Sequence, residues 1–165
     1  MMSFGIETGN QSVLDQTLKR TRVEQAQEAV NNAKGVGIKT VGHFIFGLPG
    51  ETRQTMQETM DLALRLDLDL AQFYCAVPIP GTSLYQMALA NGWINNDVPW
   101  EQFRQDQAIM ELPGLPAEEV TQFRKYASRR FYFRPATVFK IVQLSGLKHM
   151  VDLVQPAVKF LRYHP

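Results

Sequence analysis

The feature that most constrains the fold of this chain is a strand that breaks at glycine and proline and leads directly into a helix. The first such segment covers residues 41–52 and reads VGHFIFGLPGET, and the second covers residues 77–82 and reads VPIPGT. In a parallel α/β barrel these breaks fall at the carboxyl ends of the strands, where active sites are built. The chain is therefore expected to carry part of the catalytic face of an enzyme.

Three βα units are predicted in direct succession between residues 3 and 92. Alternating apolar residues predict the strands, and helical spacing of apolar residues predicts the helices. The strands are expected at 3–8, 38–46 and 69–77, and the helices at 12–18, at 23–33, from 52 onward and at 83–90. Successive βα units give parallel strands with crossover helices. Three such strands leave two open sheet edges, so the predicted fold class is α/β, as the C-terminal half of a partial TIM-like barrel.

The pattern changes after Trp93, which predicts a second region. Residues 95–111 show little periodicity. Helices are expected at 116–133, at 135–144 and after 146, the last with a kink at Pro156. We therefore divide the chain into residues 1–94, the half-barrel, and residues 95–165, a mostly helical C-terminal extension.

Charge is divided unevenly between the two ends of the chain. Residues 1–119 hold 8 Lys and Arg against 15 Asp and Glu, a net charge of −7, and residues 120–165 hold 9 against 1, a net charge of +8. Such a basic region can either meet an anionic partner or pack against an acidic part of the same chain. Both interpretations remain open.

Composition also indicates a compartment. The single cysteine, Cys75, cannot form an internal disulfide, so a cytoplasmic setting is expected. No apolar run approaches the ~18 residues of a membrane span. The C-terminal basic residues, set among apolar ones, predict either a peripheral contact with an anionic membrane or a helical cap on the barrel. They are Arg129, Arg130, Arg134, Lys140, Lys148, Lys159 and Arg162. No nucleic-acid-binding module is recognisable, and no nucleic acid partner is expected.

Three strand-end motifs occur in the order found in one enzyme superfamily. GIETG at 5–9, FIFGLPGET at 44–52 and PIPGT at 78–82 together resemble the radical S-adenosylmethionine (SAM) enzymes, and most of all their cobalamin-binding branch. The resemblance spans residues 3–92, which would be barrel strands four to six with their helices. FYFRP at 131–135 is similar to the C-terminal helical region of that branch.

The resemblance implies contacts to the SAM nucleoside. Glu7 matches the polar residue that contacts the ribose, and strand alternation places it opposite Phe4 and Ile6. The alternative is that Glu7 holds the turn at 9–12. Ile45 matches the hydrophobic residue that packs on adenine.

Further contacts follow at the strand ends. Gly47 and Gly50 let the backbone approach the nucleotide. Pro78 stands at the break after the third strand and is likewise expected to contact the cofactor. The segment between Gly47 and Glu51 is one residue longer than the family's short form. Glu51 is therefore interpreted as a residue that favours the N-terminus of the next helix.

The two-residue alternation along the strands adds three candidate contacts to the cofactor or substrate. If Ile45 faces the barrel lumen, His43 shares its face and would meet the methionine carboxylate or a substrate proton, unless it is a structural histidine. Gln72 and Tyr74 alternate with an apolar set, so they are expected inside as substrate or cofactor contacts. Cys75 is expected against a helix as a buried thiol.

The resemblance implies SAM and a [4Fe-4S] cluster as cofactors. In the family the cluster is bound by Cys-x3-Cys-x2-Cys, and SAM is cleaved reductively to a 5′-deoxyadenosyl radical that acts on a bulky or lipid-like substrate. Cobalamin in the parent protein, for methylation or cyclisation, is left open. One cysteine cannot supply the cluster ligands, so the chain is expected to be a fragment, inactive without a missing N-terminal half.

Two other interpretations remain open. A stand-alone, non-catalytic binding module would dock on a partner or complete a barrel in trans through its open strand edge. A different parallel α/β enzyme would bind a phosphate at the Gly-Pro turns, but no lysine suited to grip it stands near Gly50 or Gly81.

Overall fold

Parallel strands and the helices between them form the first part of the chain, as the apolar pattern predicts. The computed structural model describes residues 1–145. In chain order the elements are β1 (Met2–Glu7), α1 (Gln11–Gln16), α2 (Val23–Gly35), β2 (Thr40–Phe46), α3 (Arg53–Arg65), β3 (Leu70–Cys75), α4 (Ser83–Ala90), a 3-10 turn (Trp100–Gln102), α5 (Ala117–Tyr132) and α6 (Pro135–Ser145). The three strands pair in parallel in the order β1-β2-β3. The predicted α/β fold with its parallel sheet and helical C-terminal region is confirmed.

Both strand-turn-helix motifs end in a threonine that begins the next helix. Thr52 is the N-cap of α3, and its hydroxyl accepts a hydrogen bond from the Thr55 amide at 3.3 Å. Thr82 does the same for α4, accepting from the Tyr85 amide at 3.2 Å. A threonine oxygen satisfies one of the amides that a helix N-terminus leaves unpaired. The threonine of each motif is therefore explained by helix capping.

The core lies between the sheet and the helices that cover one of its faces. Phe44 and Phe46 of β2 and Phe73 of β3 are buried on that face, and the Phe44 and Phe73 rings stack with centroids 5.3 Å apart. Met56 and Met60 of α3 are fully buried. Aromatic and methionine side chains remove large apolar areas from water, so this layer supplies much of the driving force for folding.

Helix α5 packs on the same face of the sheet. Its Phe123 meets Phe46 edge-on at 5.1 Å between ring centroids, and its Phe131 meets Phe73 at 6.0 Å. The first part of the predicted C-terminal extension thus contributes directly to the core of the sheet.

The chain divides by its internal contacts into two units, Met1–Phe131 and Tyr132–Pro165. The predicted boundary between residues 94 and 95 remains a prediction about domain organisation.

The helix predicted after residue 146, with its kink at Pro156, lies outside the described residues, as do Lys148, Lys159 and Arg162. Between residues 1 and 145 no helix is long and apolar enough to cross a membrane.

Candidate functional site

The candidate site is one face of the sheet, opposite to the face that carries Phe44, Phe46 and Phe73. The strand register pairs Gly5 with His43, His43 with Gln72, and Ile45 with Tyr74. Residues paired across a sheet project to the same face. We call this surface the open face and define it by Gly5, His43, Ile45, Gln72 and Tyr74. Gln72 is exposed, and His43, Ile45 and Tyr74 are half-buried.

Glu7 reaches the open face through an irregularity at the end of β1. The register shifts between Gly5 and Glu7, and Glu7 adopts a left-handed backbone conformation with φ of 68°. A Cβ atom placed on Gly5 would lie 2.7 Å from Glu7 Oε1 and 2.8 Å from Lys19 Nζ. Both charged groups therefore sit directly over Gly5, in space that only glycine leaves free.

Lys19 is the partner of Glu7 that sequence reasoning missed. Its Nζ donates to Glu7 Oε1 at 2.6 Å and also to the Gly5 carbonyl oxygen. The short helix α1 ends at Gln16, and the chain then turns back through Leu18, which also has a positive φ. A left-handed leucine leaves no sequence signal, so nothing in the pattern indicated that Lys19 returns to β1.

The alternative role predicted for Glu7, holding the turn at residues 9–12, is wrong. The Gly9 amide donates to the Thr59 hydroxyl at 2.9 Å, and the Asn10 amide donates to the Thr8 hydroxyl at 3.2 Å. The two threonine hydroxyls are themselves hydrogen-bonded at 3.0 Å. Threonines therefore hold this turn, and the carboxylate of Glu7 remains on the open face.

A hydrogen-bonded chain of three side chains occupies the centre of the open face. Tyr74 donates its hydroxyl proton to Gln72 Oε1, and the Tyr74 oxygen lies 3.3 Å from His43 Nδ1. The rings of His43 and Tyr74 are parallel, with centroids 5.9 Å apart and an interplanar angle of 2°. The structure thus brings together three residues that the strand period had placed on one face.

The two glycines of the turn after β2 are accounted for by local packing. Gly47 and Gly50 have φ of +81° and +75°. A Cβ on Gly47 would lie 3.0 Å from Val120 of α5, and one on Gly50 would collide with the side-chain amide of Gln16. Close contact of these glycines with a nucleotide remains a prediction.

Pro78 is buried in the loop after β3. The hydrogen bonds within residues 1–145 do not connect it with the open face. Its predicted contact with a cofactor also remains a prediction.

Glu51 lies inside the turn after β2, and the interpretation that it serves the N-terminus of α3 is wrong. Its Oε2 accepts from the Gly47 amide and from the Leu48 amide, the latter at 3.2 Å. The residue is 2% exposed, and Oε1 is buried without a hydrogen-bond partner among the described residues. Burial raises the pKa of Glu51 from 4.5 to about 8, and the two amide hydrogen bonds offset only part of that rise. The carboxyl is therefore mostly neutral at pH 7.

Cys75 lies on the helix-facing side, as predicted. The residue is 1% exposed. Burial raises the pKa of its thiol from 9.0 to about 11, against the lowering effects of Arg124 and of a hydrogen bond with Thr121. In the part of the chain that the structure describes, no group of three or more His, Cys, Asp or Glu residues could hold a metal ion.

The comparison with known families confirms the resemblance. The model of the radical SAM superfamily matches residues 1–63, which span β1, β2 and most of α3. Residues 1–63 are therefore similar to the radical SAM superfamily.

Curated relatives extend the similarity along the chain. An uncharacterized methyltransferase of Pyrococcus horikoshii is 34% identical over 158 residues, covering 96% of this chain and 33% of that protein. The cytidylyl-2-hydroxyethylphosphonate methyltransferase of Streptomyces wedmorensis is 28% identical over 141 residues, covering 81% of this chain and 26% of that protein. The anaerobic magnesium-protoporphyrin IX monomethyl ester cyclase of Rubrivivax gelatinosus is 36% identical over 85 residues, covering 52% and 15%. The chain thus spans a third or less of the length of these relatives.

Proposed function

We propose that this chain supplies the C-terminal half of a radical SAM barrel and that its open face binds the SAM nucleoside. The observation that carries the proposal is the convergence of Glu7, His43, Ile45, Gln72 and Tyr74 on one face of a parallel sheet. In parallel barrels such a face lines the lumen, and the carboxyl ends of the strands carry the active site.

The acceptor and the apolar side chain of the open face suit a nucleoside. Lys19 occupies Oε1 of Glu7, so Oε2 of the same carboxylate is available to accept from ribose hydroxyls. Ile45 offers a half-buried apolar side chain beside Tyr74, which suits the flat face of adenine. In this arrangement Lys19 is a positioning residue, because it fixes the orientation of the carboxylate.

The described residues do not fit the iron-sulfur cluster that radical SAM chemistry uses. Cluster irons need several thiolates, whereas the sequence has one cysteine, whose thiol is buried and protonated. Reductive cleavage of SAM would therefore require a cluster-binding segment from outside these residues. Without such a segment we expect the chain to act only as a nucleoside-binding module.

The methyltransferase and cyclase names of the relatives bear on the reaction class. They support the proposal that the complete enzyme methylates or cyclises its substrate. The bulky or lipid-like nature of that substrate and the help of cobalamin stay predictions. The predicted contact of the basic C-terminal region with an anionic membrane stays a prediction, since three of its basic residues lie beyond residue 145.

A chimera tests the proposal. This chain would replace the matching segment of the Pyrococcus horikoshii relative, which aligns over 158 residues. The readout is formation of 5′-deoxyadenosine from SAM under anaerobic reducing conditions. We expect the chimera to cleave SAM, and Ile45→Glu in the chimera to slow cleavage by at least about tenfold, because a carboxylate on the adenine surface would have to be desolvated.

Val36→Glu is the matched control, since Val36 is 74% exposed between α2 and β2. We expect it to leave cleavage unchanged. If Ile45→Glu cleaves SAM as fast as Val36→Glu does, the open face is not the nucleoside site.

A further inference from the structure

We propose that His43 is held as the Nδ1–H tautomer, so that its Nε2 is a hydrogen-bond acceptor for an O–H or N–H group of the bound ligand. His43 is the residue that contacts the ligand, and Tyr74 and Gln72 are positioning residues that fix its tautomer. The assignment of a ligand rests on the proposed role of the open face. The tautomer itself does not depend on that role.

The argument begins with the single proton of the Tyr74 hydroxyl. A phenol has one O–H donor and lone pairs that accept. Tyr74 donates this proton to Gln72 Oε1. Toward His43 Nδ1, 3.3 Å away, the Tyr74 oxygen can therefore only accept. The proton of that second hydrogen bond must come from the imidazole.

The remaining ring nitrogen then has a defined role. A neutral imidazole carries one N–H, so a proton on Nδ1 leaves the lone pair on Nε2. Among residues 1–145 the hydrogen bonds of His43 are accounted for by its contact with Tyr74, which leaves Nε2 without a partner. The ring is half-buried, so a ligand on the open face can reach it.

This assignment separates the two roles that the sequence left open for His43. A carboxylate, such as that of methionine, needs a donor, and neutral Nε2 has no proton to give. A hydroxyl or N–H group needs an acceptor, which Nε2 supplies. Where the ligand reacts by losing that proton, the X–H bond breaks, its electron pair stays on X, and the proton moves to Nε2 to give an imidazolium.

Nitrogen NMR of the labelled chain tests the tautomer directly. Long-range ¹H–¹⁵N correlations identify which imidazole nitrogen is protonated, at about pH 8.5, where an ordinary imidazole is neutral. His43→Gln assigns the signal against His149 and His164. We expect Nδ1 of His43 to be protonated in the unmodified chain. Protonation of Nε2 instead would overturn the proposal.

The Gln72→Leu variant distinguishes a role of Gln72 in fixing the tautomer of His43 from a merely structural role. Without the Gln72 acceptor, the Tyr74 hydroxyl is free to donate to Nδ1, so the tautomer should switch to Nε2–H while the His43–Tyr74 hydrogen bond persists. Tyr74→Phe should also give the Nε2–H form. Tyr85→Phe is the matched control on α4 and should leave the His43 signals unchanged. An unchanged tautomer in Gln72→Leu would contradict the proposal.

Small probes distinguish the sources of the ligand donor. Adenosine and 2′,3′-dideoxyadenosine differ in the ribose hydroxyls, so a shift of Nε2 with adenosine alone supports the nucleoside as the source of the donor. A shift with neither nucleoside would show that the nucleoside is not the source of the donor. Methionine alone should leave Nε2 unprotonated, and conversion of His43 to the Nε2–H form by methionine would overturn the assignment.

Discussion

The turn after β2 contains a buried carboxyl group, which belongs to Glu51. One of its oxygens accepts hydrogen bonds from the Gly47 and Leu48 amides, and the other has no partner among the described residues. Because the pKa rises from 4.5 to about 8, the folded chain holds a proton that the unfolded chain releases over that range. The residue therefore links folding to pH.

The first prediction concerns this linkage. A group whose pKa is raised in the folded state stabilises fully below its unfolded pKa and loses that contribution as the pH rises toward its folded pKa. The free energy of unfolding should therefore fall between pH 4.5 and about 8. Glu51→Gln removes the titration, so its free energy of unfolding, measured with urea across this range, should fall less, with a difference on the order of a few kcal/mol.

Glu28→Gln provides the control, since Glu28 is an exposed carboxylate on α2. It should keep the slope of the unmodified chain. Parallel slopes for Glu51→Gln and Glu28→Gln would show that Glu51 does not hold the proton. The thiol of Cys75 does not interfere, because its pKa is raised from 9.0 to about 11 and lies above this window.

At the scale of elements, the turn after β2 is fixed by the helix that crosses it. Gly47 has a positive φ, and Val120 of α5 lies 3.0 Å from the place where a Cβ would stand. The same helix places Phe123 and Phe131 against the sheet. Helix α5 begins only at Ala117, after the last βα unit has ended at Ala90, and it thus shapes the end of the central strand.

The second prediction tests this coupling. Gly47→Ala combines an unfavourable φ with the contact to Val120 and should destabilise the chain by about 2–4 kcal/mol. Gly92→Ala is the matched control, with φ of +68° but open space around it, and should cost about 1 kcal/mol. Adding Val120→Ala should recover part of the loss in Gly47→Ala and none in Gly92→Ala, as a double-mutant cycle by urea unfolding would show.

Sequence reasoning worked where a short-range period controls the structure. The alternation along β2 and β3 placed His43, Gln72 and Tyr74 on one face and Cys75 on the other, and the register agrees. It could not foresee how Glu7 reaches the open face, because the route depends on a bulge and on the return of Lys19. Pairings between distant segments have no local signature.

The same limit applies to α5. The helical period of the apolar residues between 116 and 133 predicts this helix. Periodicity shows that a helix has an apolar side but not which surface that side covers. The contact of Phe131 with Phe73 joins residues far apart in the chain. The sequence pattern therefore assigns α5 to the C-terminal extension, although the helix packs on the sheet.

At the scale of the whole molecule, the third prediction is that this chain alone forms no iron-sulfur cluster. Anaerobic incubation with ferrous iron and sulfide should produce no cluster absorption, since one buried thiol cannot replace several thiolates. A cluster that survives desalting and disappears in Cys75→Ser would contradict this expectation.

Thiol labelling provides the accompanying control. At about pH 8 a thiol with a pKa of about 11 is only about one part in a thousand thiolate, compared with about one in ten at the ordinary value. Cys75 should therefore react with a disulfide reagent far more slowly in the folded chain than in guanidinium. Equal rates would mean that the thiol of Cys75 is accessible to the reagent in the folded chain.

The buried carboxyl also has a calorimetric consequence. Near neutral pH, unfolding releases about one proton from Glu51, and the buffer must take it up. The measured enthalpy of unfolding then contains the heat of protonating the buffer. It should be smaller in an amine buffer such as Tris, whose protonation releases much heat, than in phosphate, whose protonation releases little. The heat that this chain absorbs on melting is thus partly a property of the solution around it.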